Sequence, residues 1–474
     1  MRRRADLKTG TTCNSNCVFC VIGDHLFTGD RTTAECIAEL RESRKTCVDV
    51  VFTGAEVSIR ADFFRLVKVA RHLGYARIQI QTNGRMFGYR GFCERAVLAG
   101  ANEFAPAIHG HVAKLHDGLT RAPGSFAQIT AAIGHMVALG VPVVSNTVVT
   151  KQNAEHMPAL VALLADLGVG QFQLAFPHPT GHAATHFRGV VPRMSEVAPH
   201  IHAALDLGRA RGMVGMAEAM PFCMMAGHER ELAELHMPPT EIVYDGYVVP
   251  DYAADRMARG KVRFGQCARC RYEPICEGSW REYPARMGDG EFVPVPGARV
   301  LDPRLVLDGR VAMLGVPAPT VVPGTGWRAL CFVPQAGSPA CTAELCSLGA
   351  ASEALARRGI AVCVVSPDDA AAQARWAAAH GSAATTMIPD RDGAIARAWR
   401  ATGGGIARSS YLVDPDGRVV HAIVDVDTAH HGAQLAHAFD RLHAPPRPLQ
   451  PADDLVTLRR PSAAAGASVP QGAA

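Results

Sequence analysis

"CVDVVFTG", residues 47–54, precedes "DFFRLVKVARHLG", residues 62–74, so that one short β-rich run leads into one amphipathic helical run. The same pairing recurs along the chain. "ARIQIQTNG" (76–84) leads into "FCERAVLAG" (92–100), and "NEFAPAIHG" (102–110) into "SFAQITAAIGHMVALG" (125–140). "VPVVSNTVVT" (141–150) leads into "HMPALVALLADLG" (156–168), and "GQFQLAFPHP" (170–179) into "SEVAPHIHAALDLGRARG" (195–212). Strands alternating with helices of this length predict a parallel sheet with helical crossovers. At least five units favour a full or partial α/β barrel over a flat sheet. In a barrel of this kind the site forms where strands end and loops begin. Here those ends read "TGAE", "QTNG", "IHGH", "SNTVVT" and "FPHP", which predicts a polar, concave mouth.

The chain has 474 residues, enough for two or three domains. Its 48% hydrophobic and 19% charged residues fit globular cores. A net charge of +4 is small for this length and argues against a nucleic-acid partner. No apolar run reaches membrane-spanning length, and "MRRRADLKTG" lacks the apolar stretch of a signal peptide. The expectation is a cytoplasmic protein with no membrane partner.

Of the fourteen cysteines, eight fall in three groups, 13/17/20, 267/270/276 and 341/346. In a reducing compartment such groups point to metal or redox chemistry. Cys36, Cys47, Cys93, Cys331 and Cys363 stand singly in apolar surroundings and read as core residues. Three thiolates in "CNSNCVFC" (13–20) leave one iron of a four-iron cluster without a protein ligand, and an open position marks a reactive site.

Cys13-x3-Cys17-x2-Cys20, with Phe19 before the third cysteine, resembles the cluster motif of the radical S-adenosylmethionine (SAM) superfamily. The resemblance covers about residues 7–220. It implies that Cys13, Cys17 and Cys20 hold a [4Fe-4S] cluster whose open iron is chelated by SAM. It further implies reductive cleavage of SAM to a 5′-deoxyadenosyl radical that abstracts hydrogen from a substrate. Gly54-Ala55-Glu56-Val57 stands where the family keeps Gly-Gly-Glu-Pro, so Gly54 and Glu56 are expected at the SAM amino group. Asn83 in "QTNG" and Asn146 near the next strand end are further cofactor-binding candidates. His109, His111, His116 and Asp117 follow a strand end, where contact with SAM or substrate and plain packing are both open.

"CARCRYEPIC" supplies Cys267, Cys270 and Cys276 and resembles part of the auxiliary-cluster (SPASM/twitch-like) segment that follows many radical SAM barrels. Cys223 in "MPFCMMAGHE" is the nearest fourth ligand. Together they are expected to hold a second [4Fe-4S] cluster; a four-cysteine zinc site fits the spacing as well, and metal content separates the two. "GSWREYP" beyond could sit over the barrel mouth, or Trp280 and Tyr283 could simply pack.

"FVPQAGSPACTAELC" (332–346) resembles the active-site stretch of peroxiredoxins of the bacterioferritin-comigratory (AhpC/TSA-like) type, with a thioredoxin-like fold. Pro334, Ser338 and Cys341 occupy that family's pattern, Cys346 its resolving position, and Arg408 in "ARSSYLVDPDG" its arginine. The match runs from about 303 to 440. A thiol opening a helix beside an arginine is biased toward thiolate, and oxidised Cys341 would condense with Cys346 only after local unwinding. "DPDG" (414–417) signals a hairpin.

The organisation expected is thus a partial (β/α)6 barrel of radical SAM type over 1–220, a cysteine-rich cluster segment over 221–292 and a Pro/Gly-rich linker over 293–302. A thioredoxin-like α/β domain over 303–443 and a disordered low-complexity tail over 444–474 complete it. The function expected is a radical SAM enzyme acting on an unknown substrate, a peptide or protein being favoured, fused to a peroxidase-like domain. The implied partners are reduced flavodoxin or ferredoxin as electron donor, and thioredoxin. A thiol peroxidase with an N-terminal electron-transfer or sensing module is the alternative.

Overall fold

The computed structural model describes residues 2–23, 26, 28–244, 247–320, 322–380, 385–403 and 405–448. Strands β1 (Arg4–Lys8), β2 (Asp49–Thr53), β3 (Arg77–Thr82) and β4 (Glu103–Pro106) run parallel in sequence order. Strands β5 (Val144–Val148), β6 (Gln171–Ala175) and β7 (Val214–Glu218) form a second parallel set. Single parallel bridges, Phe104 with Val143 and Ala107 with Asn146, join the two sets. On the other side of β1 lies β8 (Thr240–Tyr244), also parallel, with β9 (Tyr247–Val249) antiparallel at its edge. The result is a barrel-like arc of eight parallel strands. Among the described residues no ladder closes β7 onto β8.

Burial alternates along β1, β5 and β6, the period of two that a strand imposes when only one face is dry. The dry face packs under the helices. Phe172, for example, lies so close to the helix Met194–Ala210 that a Cβ on Gly208 would sit 2.4 Å from its ring. Residues of the half-buried face bond across the strands: Gln79 donates to Glu103 (2.5 Å), Thr53 to Asp6, and Gln173 to Glu218. The inner face of the arc is therefore polar.

Beyond β9 come a small antiparallel pair, β10 (Lys261–Val262) with β11 (Ser279–Trp280), and a second sheet. That sheet runs β14 (Thr386–Pro389), β13 (Ile360–Ser366), β12 (Trp327–Phe332), β15 (Ser409–Val413), β16 (Val419–Ile423). β13 and β14 are parallel to β12, whereas β15 and β16 are antiparallel and joined through the expected "DPDG" turn. The helices Pro339–Ala350 and His431–His443 cover one face. The other face, with Phe332, Trp399 and Tyr411, belongs to the same apolar cluster as the barrel core.

Three expectations are revised. β8 lies within 221–292, expected as a cysteine-rich cluster segment; "TEIVY" is followed by a short return strand, not a helix, so the period that marked the other strands is missing. The linker 293–302 is packed: Val295 N–H donates to Cys270 Sγ (3.4 Å) and Val300 N–H to the Arg271 carbonyl (2.8 Å). Of the expected tail, residues 449–474 lie outside the described residues, but Arg447 is bonded into the second cysteine segment. The five single cysteines are buried, as core residues should be.

Candidate functional site

The first cysteine loop leaves β1 and is anchored on every side. Asp30 accepts from the backbone N–H of Thr11 (3.0 Å) and Thr12 (2.9 Å). Asn16 and Val18 donate to the carbonyls of Thr120 and Leu119 (3.0 and 2.9 Å). His182 N–H donates to the Cys20 carbonyl (2.9 Å), and its Nδ1 lies 3.0 Å from the Cys17 carbonyl. Phe19 is buried edge-on against His109, with centroids 4.6 Å apart. Gly54 explains why β2 can approach: its φ is +120°, and a Cβ there would lie 2.7 Å from the Gly10 carbonyl. The loop thus carries its thiols on a fixed backbone.

Cys13, Cys17 and Cys20 are all half-buried. Burial, then the Glu56 carboxylate and the Cys20 thiolate, push Cys13 up to about 11, against a hydrogen bond from Ser15 N–H. Burial, with Cys20 and Cys13 beside it, drives Cys17 higher still. Thiols so destabilised as free anions are suited to a positive centre, which would deprotonate them outright. Cys13, Asn14, Ser15, Asn16, Arg121 and His182 line an open pocket of about 450 Å³. Glu56 is 2% exposed, and its oxygens accept from Ser58 N–H (3.0 Å), Ser58 Oγ (2.5 Å), Thr82 Oγ1 (2.7 Å) and Asn83 N–H (2.6 Å). Burial nevertheless raises its carboxyl. These four donors hold the carboxylate at the end of β2. Asn83, held by Glu56, reaches the loop: its Nδ2 donates to Asn14 Oδ1 (2.6 Å) and lies 3.8 Å from Cys13 Sγ. Asn146, on the half-buried face of β5, has a buried Oδ1 without a hydrogen-bond partner among the described residues.

Two of the histidines after β4 are bonded to the backbone. His109 Nδ1 accepts from Val148 N–H (3.2 Å), and His116 Nδ1 accepts from His109 N–H (3.1 Å); burial holds both rings far below their usual range, His116 to about 4. Asp117 caps the helix Ser125–Ala138 through Gly124 and Phe126 N–H (2.7 Å each). His111 tilts against His156, 5.1 Å between centroids.

Cys223, Cys267, Cys270 and Cys276 line one small cavity with Phe222, Phe264 and Phe292. Backbone N–H groups point at the sulfurs: Phe264 at Cys267 (3.4 Å), Val295 at Cys270 (3.4 Å), and Phe222 and Gly278 at Cys276. Burial followed by the three other thiolates pushes Cys223 up strongly. Among the described residues no three Cys, His, Asp or Glu side chains gather closely enough to share a single metal ion. Four sulfurs thus surround a common void, three of them facing backbone N–H donors. Beside them Glu273 collects Arg263 (2.6 Å), Arg299 (2.9 Å) and Arg447 (3.3 Å).

The rim between β6, β7 and this segment was not legible in advance. Trp280 stacks on His178, 3.9 Å between centroids, and Lys261 Nζ lies 3.7 Å over the Trp280 ring. Lys261 is 1% exposed, and burial lowers its ammonium while raising the neighbouring Glu234. Arg256 forks onto Glu277 at 2.7 Å twice. Only the aromatic in "GSWREYP" signalled this rim. Tyr283 packs, accepting from Met194 N–H (3.0 Å).

In the second sheet's domain, Cys341 is the third residue of the helix Pro339–Ala350, whose cap is Ser338: its Oγ accepts from Cys341 N–H (3.4 Å). Arg408 Nη2 donates to Cys341 Sγ (3.2 Å). Cys341 is fully buried, and Cys346 is exposed on the same helix. Five helical residues separate the sulfurs by about 7.5 Å along the axis and point them apart, so a disulfide requires unwinding.

Residues 7–164 match the profile of the Radical SAM superfamily, and residues 321–422 that of the AhpC/TSA family. An AdoMet-dependent heme synthase of Oleidesulfovibrio alaskensis is 28% identical over 176 residues, 36% of this chain and 45% of that protein. A probable GTP 3',8-cyclase of Saccharolobus solfataricus is 27% identical over 184 residues, 37% of this chain and 57% of that protein. The chain spans about half the length of the curated relatives it matches. Among solved structures, the Xanthomonas campestris bacterioferritin comigratory protein is 27% identical, covering 25% of this chain and 80% of that one, with a TM-score of 0.24. Streptococcus suis SuiB bound to S-adenosylmethionine is 15% identical, covering 62% and 76%, with a TM-score of 0.47. The molecule is a fusion of two enzyme-associated domains. The N-terminal one is of the radical SAM superfamily, the C-terminal one of the AhpC/TSA, peroxiredoxin-like type.

Proposed function

We propose that this chain is a radical SAM enzyme that modifies a peptide or protein substrate, and that its C-terminal domain reduces peroxides through Cys341. The observation that carries the first part is the anchored loop bearing Cys13, Cys17 and Cys20 beside an open pocket at the end of β1. These three residues would hold a [4Fe-4S] cluster with SAM at its open iron. Bound there, the pair would supply radical chemistry: one electron from the reduced cluster would split SAM into methionine and a 5′-deoxyadenosyl radical able to take a hydrogen atom from a substrate. Gly54 lets the β2 end close on the loop, and Glu56 braces Asn83 against Cys13 and Asn14. The unpaired Asn146 Oδ1 is suited to accept a ribose hydroxyl. The polar inner face of the arc can bond a substrate's amides, which supports a peptide or protein over an apolar molecule. Cys223, Cys267, Cys270 and Cys276 would hold a second [4Fe-4S] cluster, reduced flavodoxin or ferredoxin being the electron source.

At Cys341, Ser338 Oγ accepts from the residue's backbone N–H, and Arg408 Nη2 donates to its sulfur. Thiolate attack breaks the peroxide O–O bond, leaving a sulfenic acid and an alcohol or water. Cys346 then condenses with the sulfenic acid to a disulfide, releasing water, and thioredoxin would reduce it.

The deciding test is 5′-deoxyadenosine formation by anaerobically reconstituted protein with SAM and a strong reductant, beside a Cys17→Ala control. Product from the parent alone supports the radical enzyme. No product from protein with intact clusters overturns it and leaves thiol chemistry as the main activity, the N-terminal half then feeding electrons or sensing.

A further inference from the structure

A row of buried polar groups ends at Cys341. Glu344, three residues further along the same helix, has a fully buried carboxylate. Such a charge is costly unless paired, and two other elements supply partners. Arg408 Nη1 donates to Oε2. His431, the first residue of the helix His431–His443, sets Nδ1 3.0 Å from Oε1, an electrostatic contact off the line of a hydrogen bond, and neither atom has a hydrogen-bond partner among the described residues. The ring's Nε2 lies 2.9 Å from Ser410 Oγ on β15.

These contacts fix the tautomer. Burial and the Arg408 charge hold His431 down to about 4, so the ring is neutral and carries one proton. A carboxylate only accepts, whereas a hydroxyl also donates. The proton therefore belongs on Nδ1, facing Glu344, with Ser410 donating to Nε2. Ser410, His431 and Glu344 follow the order of a hydrolytic triad. All three, like Cys341, are 0% exposed. The row continues through Arg408, whose Nη2 touches Cys341 Sγ at 3.2 Å. The helix bearing His431 is also pinned to the one bearing Cys341. Gly432 N–H donates to Ser347 Oγ (3.2 Å), and a Cβ at 432 would lie 2.7 Å from the Ser347 carbonyl.

We propose that His431 is a positioning residue of the Cys341 site: it holds Glu344, with its tautomer set by Ser410, so that the Arg408 fork is aimed at the sulfur. The proposal rests on the thiol reading of the C-terminal domain. The groups facing the ring are Glu344, Arg408 and Ser410, and Arg408 carries the effect to Cys341.

The experiment is the pH profile of Cys341 alkylation by iodoacetamide, read on its peptide by mass spectrometry, in the full chain carrying Cys346→Ser. His431→Leu should raise the midpoint by about one pH unit as the guanidinium drifts from the sulfur, and Ser410→Ala by about half as much. His431→Asn, which keeps an N–H donor, should stay near the parent. Looser packing alone would speed alkylation at every pH without moving the midpoint. An unmoved midpoint in His431→Leu and Ser410→Ala, or an Asn variant shifted as far as Leu, overturns the proposal. Should His431→Leu fail to fold, Ser410→Ala decides. Peroxide consumption is measured in parallel; a shifted midpoint in a protein that consumes none sinks the peroxidase reading and leaves the positioning role standing.

Discussion

Gly54 shows how a single backbone position serves the first cysteine loop. With φ at +120° and the Gly10 carbonyl in the place of a Cβ, Gly54→Ala strains the chain and parts β1 from β2. We expect a loss of about 2 kcal/mol or more, read as a lowered melting temperature together with reduced iron content after reconstitution. Cys223 tests the other group. If it is the fourth ligand of a second cluster, Cys223→Ser should lower the iron of the reconstituted chain from about eight to about four atoms. An unchanged iron content would remove it from the set, and zinc in place of iron would favour a structural site. The residues that sequence patterns exposed are those whose partners lie nearby: 13, 17 and 20 in one loop, 338 and 341 in one turn. Cys223 stands 44 positions before Cys267 and was reachable only as the nearest remaining thiol. His431 and Lys261 carry no local pattern, because their partners are brought together by the fold alone.

At the scale of elements, the helix Pro339–Ala350 begins with both of its local signals satisfied: Ser338 caps it and proline occupies its first turn. Ser338→Ala should cost about 1 kcal/mol of stability, and should also slow the reaction of Cys341 with hydrogen peroxide, measured by stopped flow; an unchanged rate would separate the cap from the chemistry. The strands legible in advance were those followed by an amphipathic helix. β8 was missed because it is followed by β9, and the contact that makes it part of the arc is with β1, more than 230 residues earlier. Packing of the linker onto Cys270 was likewise hidden, since Pro and Gly mark chain direction rather than what the chain touches.

For the whole molecule, histidines set the acid limit. His116, His421 and His431 are all held to about 4 by burial, against an ordinary 6.5. Because their folded values are depressed, the unfolded chain binds protons first. Their contribution is fully present above about 6.5 and is lost as the pH falls toward 4 and below. We expect the melting temperature to fall steadily across that window; a flat profile would mean that the three rings become exposed on acidification without unfolding. A second expectation concerns Arg447. It donates to the Cys276 carbonyl (2.9 Å) and completes the ring of guanidinium groups on the 2%-exposed side chain of Glu273. Arg447→Ala should cost about 1–2 kcal/mol and speed release of iron from the second group to a chelator, with the first group unaffected.

That ring has a consequence for how the gene can be divided. Arg263 comes from the cysteine segment itself, Arg299 from the stretch between the two families, and Arg447 from beyond the final helix of the peroxiredoxin-like part. A fragment ending near residue 300 would possess every cysteine of the first two groups and still leave a buried carboxylate short of a counter-charge. Splitting the protein at its family boundary therefore yields an N-terminal half that is chemically complete and electrostatically unfinished, and supplying the C-terminal half in trans should restore what the cut removed.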